Sequence, residues 1–239
     1  MATTLQSLAQ NAALRSNMRY DYTGLADTDT GIGRSVYTAV IDAWRELQEE
    51  STNWWFRQKL DQTLTINASD DDYAMPTGLE TLNYRTCTIY LTAKTDETPV
   101  YYLPYEDWRV MKDTVTTQEA RPRYITERPD AVLQVWPVPD QAYTMRFDGV
   151  YDIDIMSDDA DTPGSNIASA QLLPDRYCWV LVWDAVRRLA LEHGDQALYS
   201  KADERYRAER ARLSEKQMPE IYVKPGILTG VNQNYRRWF

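Results

Sequence analysis

The spacing of apolar and polar residues changes its period twice along the chain. Residues 3–17 and 34–50 place apolar side chains three and four positions apart, which predicts two helices. Between residues 57 and 155 the apolar positions alternate in short runs that turns separate, a pattern typical of β-strands. Residues 174–192 and 195–217 return to helical spacing. The order predicts an α+β protein.

The β region is predicted to be an antiparallel module of short strands. These strands are expected at residues 64–66, 82–91, 99–103, 131–136 and 142–155. A short helix from Pro104 to Met111 interrupts them, because proline is favoured in the first turn of a helix. The last run alternates most clearly, and six residues are expected to share one face: Met145, Phe147, Gly149, Tyr151, Ile153 and Ile155.

The helices at the two ends can pack on each other only if the β region is an insertion between them. We therefore predict a helical bundle from the N- and C-terminal helices, an inserted antiparallel β-sandwich-like module, and an extended C-terminal tail. The predicted boundaries are 1–56 for the N-terminal helices, 57–165 for the β module, 166–217 for the C-terminal helix pair and 218–239 for the tail.

Composition narrows the function classes. The chain of 239 residues has a net charge of −10, the reverse of what a protein that coats nucleic acid needs. Its aromatic residues are 17 Tyr and 8 Trp against 3 Phe, which favours equally a set of protein interfaces and a tyrosine-rich core. Cys87 and Cys178 are interpreted as reduced, buried thiols. Neither a membrane-spanning run nor a signal-peptide pattern is present, so we expect a soluble protein.

The sequence offers little for catalysis or for cofactor binding. Its single histidine, His193, lies beside Gly194 at a helix end, where it suits the helix dipole. A nucleophile elbow, a zinc-protease motif, a phosphate loop and a dinucleotide fingerprint are all missing from the sequence. Residues 27–31 resemble the start of a calcium loop without the glutamate that should end it, so a solvated loop is favoured. We predict no enzyme activity, no metal and no cofactor.

Two further features are candidates for contact with other molecules. The first is an acidic run of Asp152, Asp154, Asp158, Asp159 and Asp161, which is typical of a solvated loop or a negative surface in an assembly and less typical of paired catalytic carboxylates. The second is the tail after Pro219, which Pro225, Gly226 and Gly230 keep from forming a helix. The tail contains aromatic, aliphatic and cationic side chains, which are suited to anchoring an interface. They are Ile221, Tyr222, Ile227, Leu228, Tyr235, Arg236, Arg237, Trp238 and Phe239.

Residues 36–213 resemble the head-to-tail adaptor, or connector, proteins of tailed bacteriophages. No single motif carries the resemblance, which depends on the order and spacing of several stretches. They are Trp44–Phe56, Leu64–Ile66, Tyr73–Pro76, Tyr102–Trp108, Arg121–Ile125, Leu133–Asp140, Tyr143–Tyr151, Leu173–Tyr177 and His193–Asp195. The first 35 residues and the tail do not carry it.

The resemblance implies a structural protein of the virion neck, made in the host bacterial cytoplasm. It implies a homo-oligomeric ring of about twelve copies under the portal protein, closed by heterologous contacts between identical subunits. Such a ring extends the DNA channel, lets DNA pass without sequence-specific binding and docks a tail or nozzle protein. We then expect the tail residues to bind the portal and the acidic run to face the channel. A tail terminator, a tail fibre and a carboxylate-based hydrolase are the alternatives.

Overall fold

The structure is a computed structural model that describes residues 3–17, 31–91, 96–114, 119–165 and 173–217. Helical segments in these ranges are α1 (Leu5–Arg15), α2 (Gly31–Glu49), α3 (Tyr105–Thr114), α4 (Trp179–Glu192) and α5 (Gln196–Gln217). The strands are β1 (Gln58–Ile66), β2 (Asp72–Ala74), β3 (Leu79–Tyr90), β4 (Thr98–Pro99), β5 (Tyr101–Tyr102), β6 (Tyr124–Glu127), β7 (Val132–Trp136) and β8 (Tyr143–Tyr151). The α+β prediction is confirmed.

Helix α4 lies at the centre of the helical region. It contacts α1, α2 and α5, because its apolar residues cover most of its circumference. Its buried side chains join those of α1 and α2 in one apolar cluster, to which α5 adds Ala202 and Leu213. At the start of α1, the Thr4 hydroxyl accepts a hydrogen bond from the Ser7 amide at 3.3 Å. The bundle buries helices from both ends of the chain in one core.

The β region consists of two four-stranded sheets. One has the strand order β1-β8-β3-β4 and the other has the order β2-β7-β6-β5. A single cluster of buried apolar side chains draws on both sheets, with Ile89 and Met145 from the first and Ile125 and Leu133 from the second. The two sheets therefore stabilise each other through a core that is separate from the helical one.

The arrangement of strands differs from the predicted one in a specific way. Strands β5 and β6 run parallel, with Tyr101 paired to Tyr124 and Tyr102 to Ile125, so the module is not wholly antiparallel. The physical reason is α3, which lies between them in sequence and supplies the crossover that a parallel pair needs. Strands β2 and β6 were not predicted.

Several predicted boundaries were also wrong. Strand β1 begins at Gln58 rather than at residue 64, and the strand predicted at residues 99–103 is two short strands, β4 and β5, in different sheets. Strand β8 ends at Tyr151 rather than at residue 155, and Ile155 is 59% exposed, so the predicted shared face stops at Tyr151. Helix α2 begins at Gly31, three residues before the predicted start. The division of the chain at residues 56, 165 and 217 stays a prediction.

Arg57 links the helical core to the sheets. Its side chain is 3% exposed and donates from Nη1 to the Gln48 carbonyl and from Nη2 to the Tyr151 carbonyl, each at 2.8 Å. The same Nη2 forms an ion pair with Glu80 of β3. One guanidinium therefore donates hydrogen bonds to a carbonyl in the last turn of α2 and to a carbonyl at the end of β8. These bonds fix where the helices meet the first sheet.

Candidate interaction surface

The acidic run Asp152–Asp161 follows β8 and lies against the helices. Asp154 is 2% exposed, and its Oδ2 accepts hydrogen bonds from Trp44 Nε1 and from the Gly164 amide, each at 2.8 Å. Its backbone amide donates to Gln48 Oε1 at 2.8 Å, and its carbonyl accepts from Gln48 Nε2 at 2.9 Å. Asp154 therefore anchors this loop on α2.

Two more aspartates of the run make contacts within the protein. Asp159 accepts a hydrogen bond from the Tyr37 hydroxyl of α2, and its carbonyl accepts from the Gln6 amide at 3.2 Å. Asp161 Oδ2 accepts from the amides of Ser157 and Asp158 at 2.6 and 2.8 Å, and its carbonyl accepts from the Leu5 amide at 2.7 Å. The loop therefore satisfies backbone donors at the start of α1.

The structure corrects the prediction that this run forms one acidic surface. Asp154 cannot contribute to it, because its carboxylate is buried and engaged by Trp44 and Gly164. Asp159 and Asp161 are half-buried, while Asp152 and Asp158 are exposed. A place on a DNA channel for the four aspartates other than Asp154 stays a prediction.

Asp154→Asn is expected to lower the free energy of unfolding by about 1–2 kcal/mol, because the amide replaces a charged acceptor of two hydrogen bonds. Asp158→Asn, on the exposed part of the same loop, is the matched control and is expected to change it by less than about 0.5 kcal/mol. Urea denaturation followed by circular dichroism measures both. Equal effects of the two substitutions would contradict the anchoring role of Asp154.

Exposed tyrosines cluster where β5 forms the edge of the second sheet. Tyr101, Tyr102 and Tyr124 are 60%, 44% and 37% exposed. Tyr101 is in register with Tyr124, which is in register with Trp136 of β7, so three aromatic residues form a row across neighbouring strands. We call Tyr101, Tyr102 and Tyr124 the tyrosine edge.

Contacts with β3 hold one member of the tyrosine edge, Tyr102, in place. The ring centroid of Tyr102 lies 4.3 Å from that of Tyr84 on β3, and the Tyr84 hydroxyl donates to the Glu127 carboxylate. Burial, with Glu127 nearby, raises the pKa of Tyr84 and also raises the pKa of Tyr102. Both phenols therefore stay neutral at physiological pH. A preordered, neutral aromatic surface suits protein contact, since Tyr loses little side-chain entropy when it binds.

The tyrosine edge was not predicted from the sequence, although one signal was present. Two consecutive aromatic residues in a strand point to opposite faces, and Leu103 and Pro104 follow them directly. Proline near a strand is typical of a sheet edge, where both faces can stay accessible. The tyrosine-rich composition was noted, but the positions that reach the surface depend on the register of β5 with β6.

The single histidine and both cysteines lie among the described residues. His193 is exposed at the C-terminal end of α4. Cys87 and Cys178 are buried and unpaired, as predicted, and burial raises the pKa of each thiol to about 12, which keeps them protonated and unreactive. In the ranges that the structure describes, no group of three His, Cys, Asp or Glu side chains could hold a metal ion.

Two other predictions concern a membrane-spanning helix and the portal-binding residues of the tail. Among the described helices, none is long and apolar enough to cross a membrane. The nine predicted portal-binding residues, from Ile221 to Phe239, lie outside the described residues.

Comparison with known proteins identifies the family. A search of the curated proteins finds no match. A family model described as "SU10 adaptor protein" matches residues 3–225, a wider range than the stretches that carried the resemblance in the sequence. This match covers nearly the whole chain and includes both the helical region and the sheets. The chain therefore belongs to the SU10 adaptor protein family, a family of phage head-to-tail adaptors.

Proposed function

We propose that this chain forms a closed ring under the portal protein in the virion neck. The ring extends the DNA channel and gives tail components a surface to dock on. Family membership across residues 3–225 is the observation that carries this proposal. About twelve copies would close the ring through heterologous contacts, in which one surface of each subunit meets a different surface of the next. Negative-stain imaging of the protein mixed with its portal tests the ring directly.

The tail is our candidate for the portal contact. Its apolar and aromatic residues can anchor an extended segment in a groove between portal subunits or at a sheet edge. Arg236 and Arg237 add cationic contacts next to Trp238 and Phe239.

The tyrosine edge is our candidate for a second contact within the neck, because Tyr101 and Tyr124 expose aromatic surface on a rigid sheet.

Tyr101→Ser together with Tyr124→Ser is expected to weaken assembly at the neck by at least about 30-fold, since the loss of even one aromatic anchor costs about 2 kcal/mol. Val110→Ser on α3 is the control, because Val110 is 68% exposed and lies outside the tyrosine edge. Co-sedimentation with portal rings and purified tail components measures the effect. If the double variant assembles as well as Val110→Ser does, the tyrosine edge takes no part in the neck.

DNA is expected to pass this protein without being held. The net charge of −10, with Asp152 and Asp158 exposed, gives a surface that does not release counterions from phosphates. A fluorescence-anisotropy titration with duplex DNA should therefore show no binding at micromolar protein in about 150 mM salt. Tight binding that weakens steeply as salt is raised would contradict a neutral or acidic channel.

We also propose that the protein acts without catalysis. Support comes from its membership of a structural family and from the inert thiols of Cys87 and Cys178. Hydrolysis of peptidoglycan that disappears when a pair of aspartates is replaced, in a protein that stays folded, would favour the hydrolase alternative.

A further inference from the structure

An apolar groove runs between α1 and the start of α4. Its walls are Ser7, Leu8 and Asn11 on α1 and Cys178, Trp179 and Val182 on α4, and apolar atoms make up most of its surface. Its volume, including the open mouth, is about 590 Å³, which is within the size range of pockets that enclose a ligand. The groove is a preformed site, because α1 and α4 pack directly on each other.

The aromatic wall of the groove is exposed to solvent and held in one place. Trp179 is 38% exposed, and Leu14 in the last turn of α1 is 74% exposed. The Arg15 guanidinium lies 4.7 Å from the ring centroid of Trp179 and 5.1 Å from that of Trp183. Tryptophan is among the residues on which the binding energy of protein interfaces concentrates. The groove therefore has the composition of a protein-contact surface.

The tyrosine edge presents aromatic side chains that such a groove can accept. Tyr101 and Tyr124 are in register on β5 and β6, so their side chains lie on the same face of the second sheet. The helical bundle, in contrast, is joined by Arg57 to strands of the first sheet. The groove and the tyrosine edge share no residue and lie in different parts of the subunit. Both can therefore be occupied at once, as a heterologous contact requires.

The charged residues around the groove are mostly basic. Arg15 is exposed beside Trp179, and Arg176 is exposed in the turn before α4. Asp175 is the acidic residue at this end, and its Oδ1 already accepts hydrogen bonds from the amide and the hydroxyl of Thr3, each at 3.1 Å. Two cations against one carboxylate give the mouth of the groove a net positive charge.

The charged residues around the tyrosine edge are mostly acidic. Glu106 and Asp107 are exposed in the first turn of α3, which follows β5. Burial and the nearby charges of Glu127 and Glu106 raise the pKa of Tyr102, so these two carboxylates lie close to its ring. Arg123, directly before β6, is the basic residue here. Three carboxylates against one guanidinium give the edge a net negative charge, which complements the groove.

We propose that the tyrosine edge of each copy docks in the groove between α1 and α4 of the next copy, where Tyr101 and Tyr124 contact Trp179 and Glu106 pairs with Arg15. The inference rests on the proposed ring and names the two surfaces that close it. Because one surface belongs to the helices and the other to the second sheet, each copy binds two neighbours through different faces. Such contacts repeat from copy to copy until the ring closes.

Charge reversal in the full-length chain tests this contact, with rings on purified portals counted in negative-stain images across a protein titration. Arg15→Glu alone and Glu106→Arg alone should each raise the protein concentration for half-maximal ring formation at least tenfold, because like charges then face each other. The double variant should return to within about threefold of the wild type, since every contact then carries both changes. No recovery in the double variant would overturn the pairing.

The matched control for the double variant is Arg15→Glu with Glu204→Arg, which has the same net charge. Glu204 is exposed on α5, outside both surfaces. This control should not recover ring formation. Recovery equal to that of Arg15→Glu with Glu106→Arg would mean that net charge matters and the proposed pair does not.

Cross-linking between two differently marked copies tests the same contact while the anchoring residues stay unchanged. One batch carries Leu14→Cys and the other Asp107→Cys, at positions that flank the proposed ion pair. Cys87 and Cys178 are buried and have raised pKa values, so a short bismaleimide should join the introduced thiols alone. Rings assembled on portals from an equal mixture should give a cross-linked dimer, and neither batch alone should give one. The control replaces Leu14→Cys with Arg45→Cys on the exposed surface of α2, which should give none.

These experiments separate failure of the contact from failure of the ring. Wild-type protein that forms no ring on portals would overturn the proposed function, and this inference with it. Rings that form normally but give no mixed cross-link, or that cross-link through Leu14→Cys copies alone, would overturn the docking of the tyrosine edge in the groove and leave the ring intact.

Discussion

Arg57→Ala is expected to lower the free energy of unfolding by about 2–4 kcal/mol, because it leaves two buried carbonyls without their hydrogen-bond donor. The guanidinium satisfies the carbonyls of Gln48 and Tyr151 and pairs with Glu80, and its side chain is 3% exposed. Removing it leaves two buried carbonyls and one carboxylate without their donor. Because these groups belong to α2, β8 and β3, the contact between the helices and the first sheet should loosen first.

Urea denaturation with tryptophan fluorescence measures this effect, and Arg45→Ala is the matched control. Arg45 pairs with Glu49 on the surface of α2, with 61% and 44% of the two side chains exposed. An exposed pair of this kind contributes about 0.5 kcal/mol. A loss for Arg57→Ala no larger than that for Arg45→Ala would mean that the junction is held mainly by apolar contacts.

Replacing Arg236, Arg237, Trp238 and Phe239 together with alanine is expected to weaken portal binding by at least about 30-fold. Aromatic and arginine anchors carry most of the free energy of an interface, and an extended segment needs them to offset its ordering entropy. The free energy of unfolding should not change. Surface plasmon resonance on immobilised portal rings measures binding, and thermal denaturation checks the fold.

The control for this experiment replaces Asn232, Gln233 and Asn234, three polar residues of the same tail, with alanine. Full portal binding by the control and weak binding by the quadruple variant would assign the contact to the terminal aromatic and basic residues. If the quadruple variant binds normally, the portal contact lies elsewhere. If it also unfolds at a lower temperature, these residues stabilise their own domain.

Local periodicity was enough to predict the helices and the α+β class. Helix α4 could be predicted because its apolar residues recur every three or four positions, and it is central for the same reason. Strand β8 was found because Met145 and Phe147 alternate with polar residues and face the sheet core. Both signals are local, and tertiary contacts reinforce them.

The features that sequence analysis missed depend on contacts between distant residues. Asp154 was interpreted as a surface aspartate because aspartate is rarely buried, yet Trp44, 110 positions away, donates to its carboxylate. The parallel pairing of β5 was hidden because β5 has two residues, too few to show a period. No local pattern in residues 101–124 fixes which tyrosines reach the surface, since that follows from the register of two strands.

Mass measurement on the neck isolated from assembled particles tests the central claim most directly. The account predicts a complex in which this 239-residue chain is present in about twelve copies bound to the portal. Negative-stain images of the same sample should show a closed ring around a central channel. A trimer, a single copy, or a neck that lacks this chain would contradict its proposed role as the ring that joins head and tail.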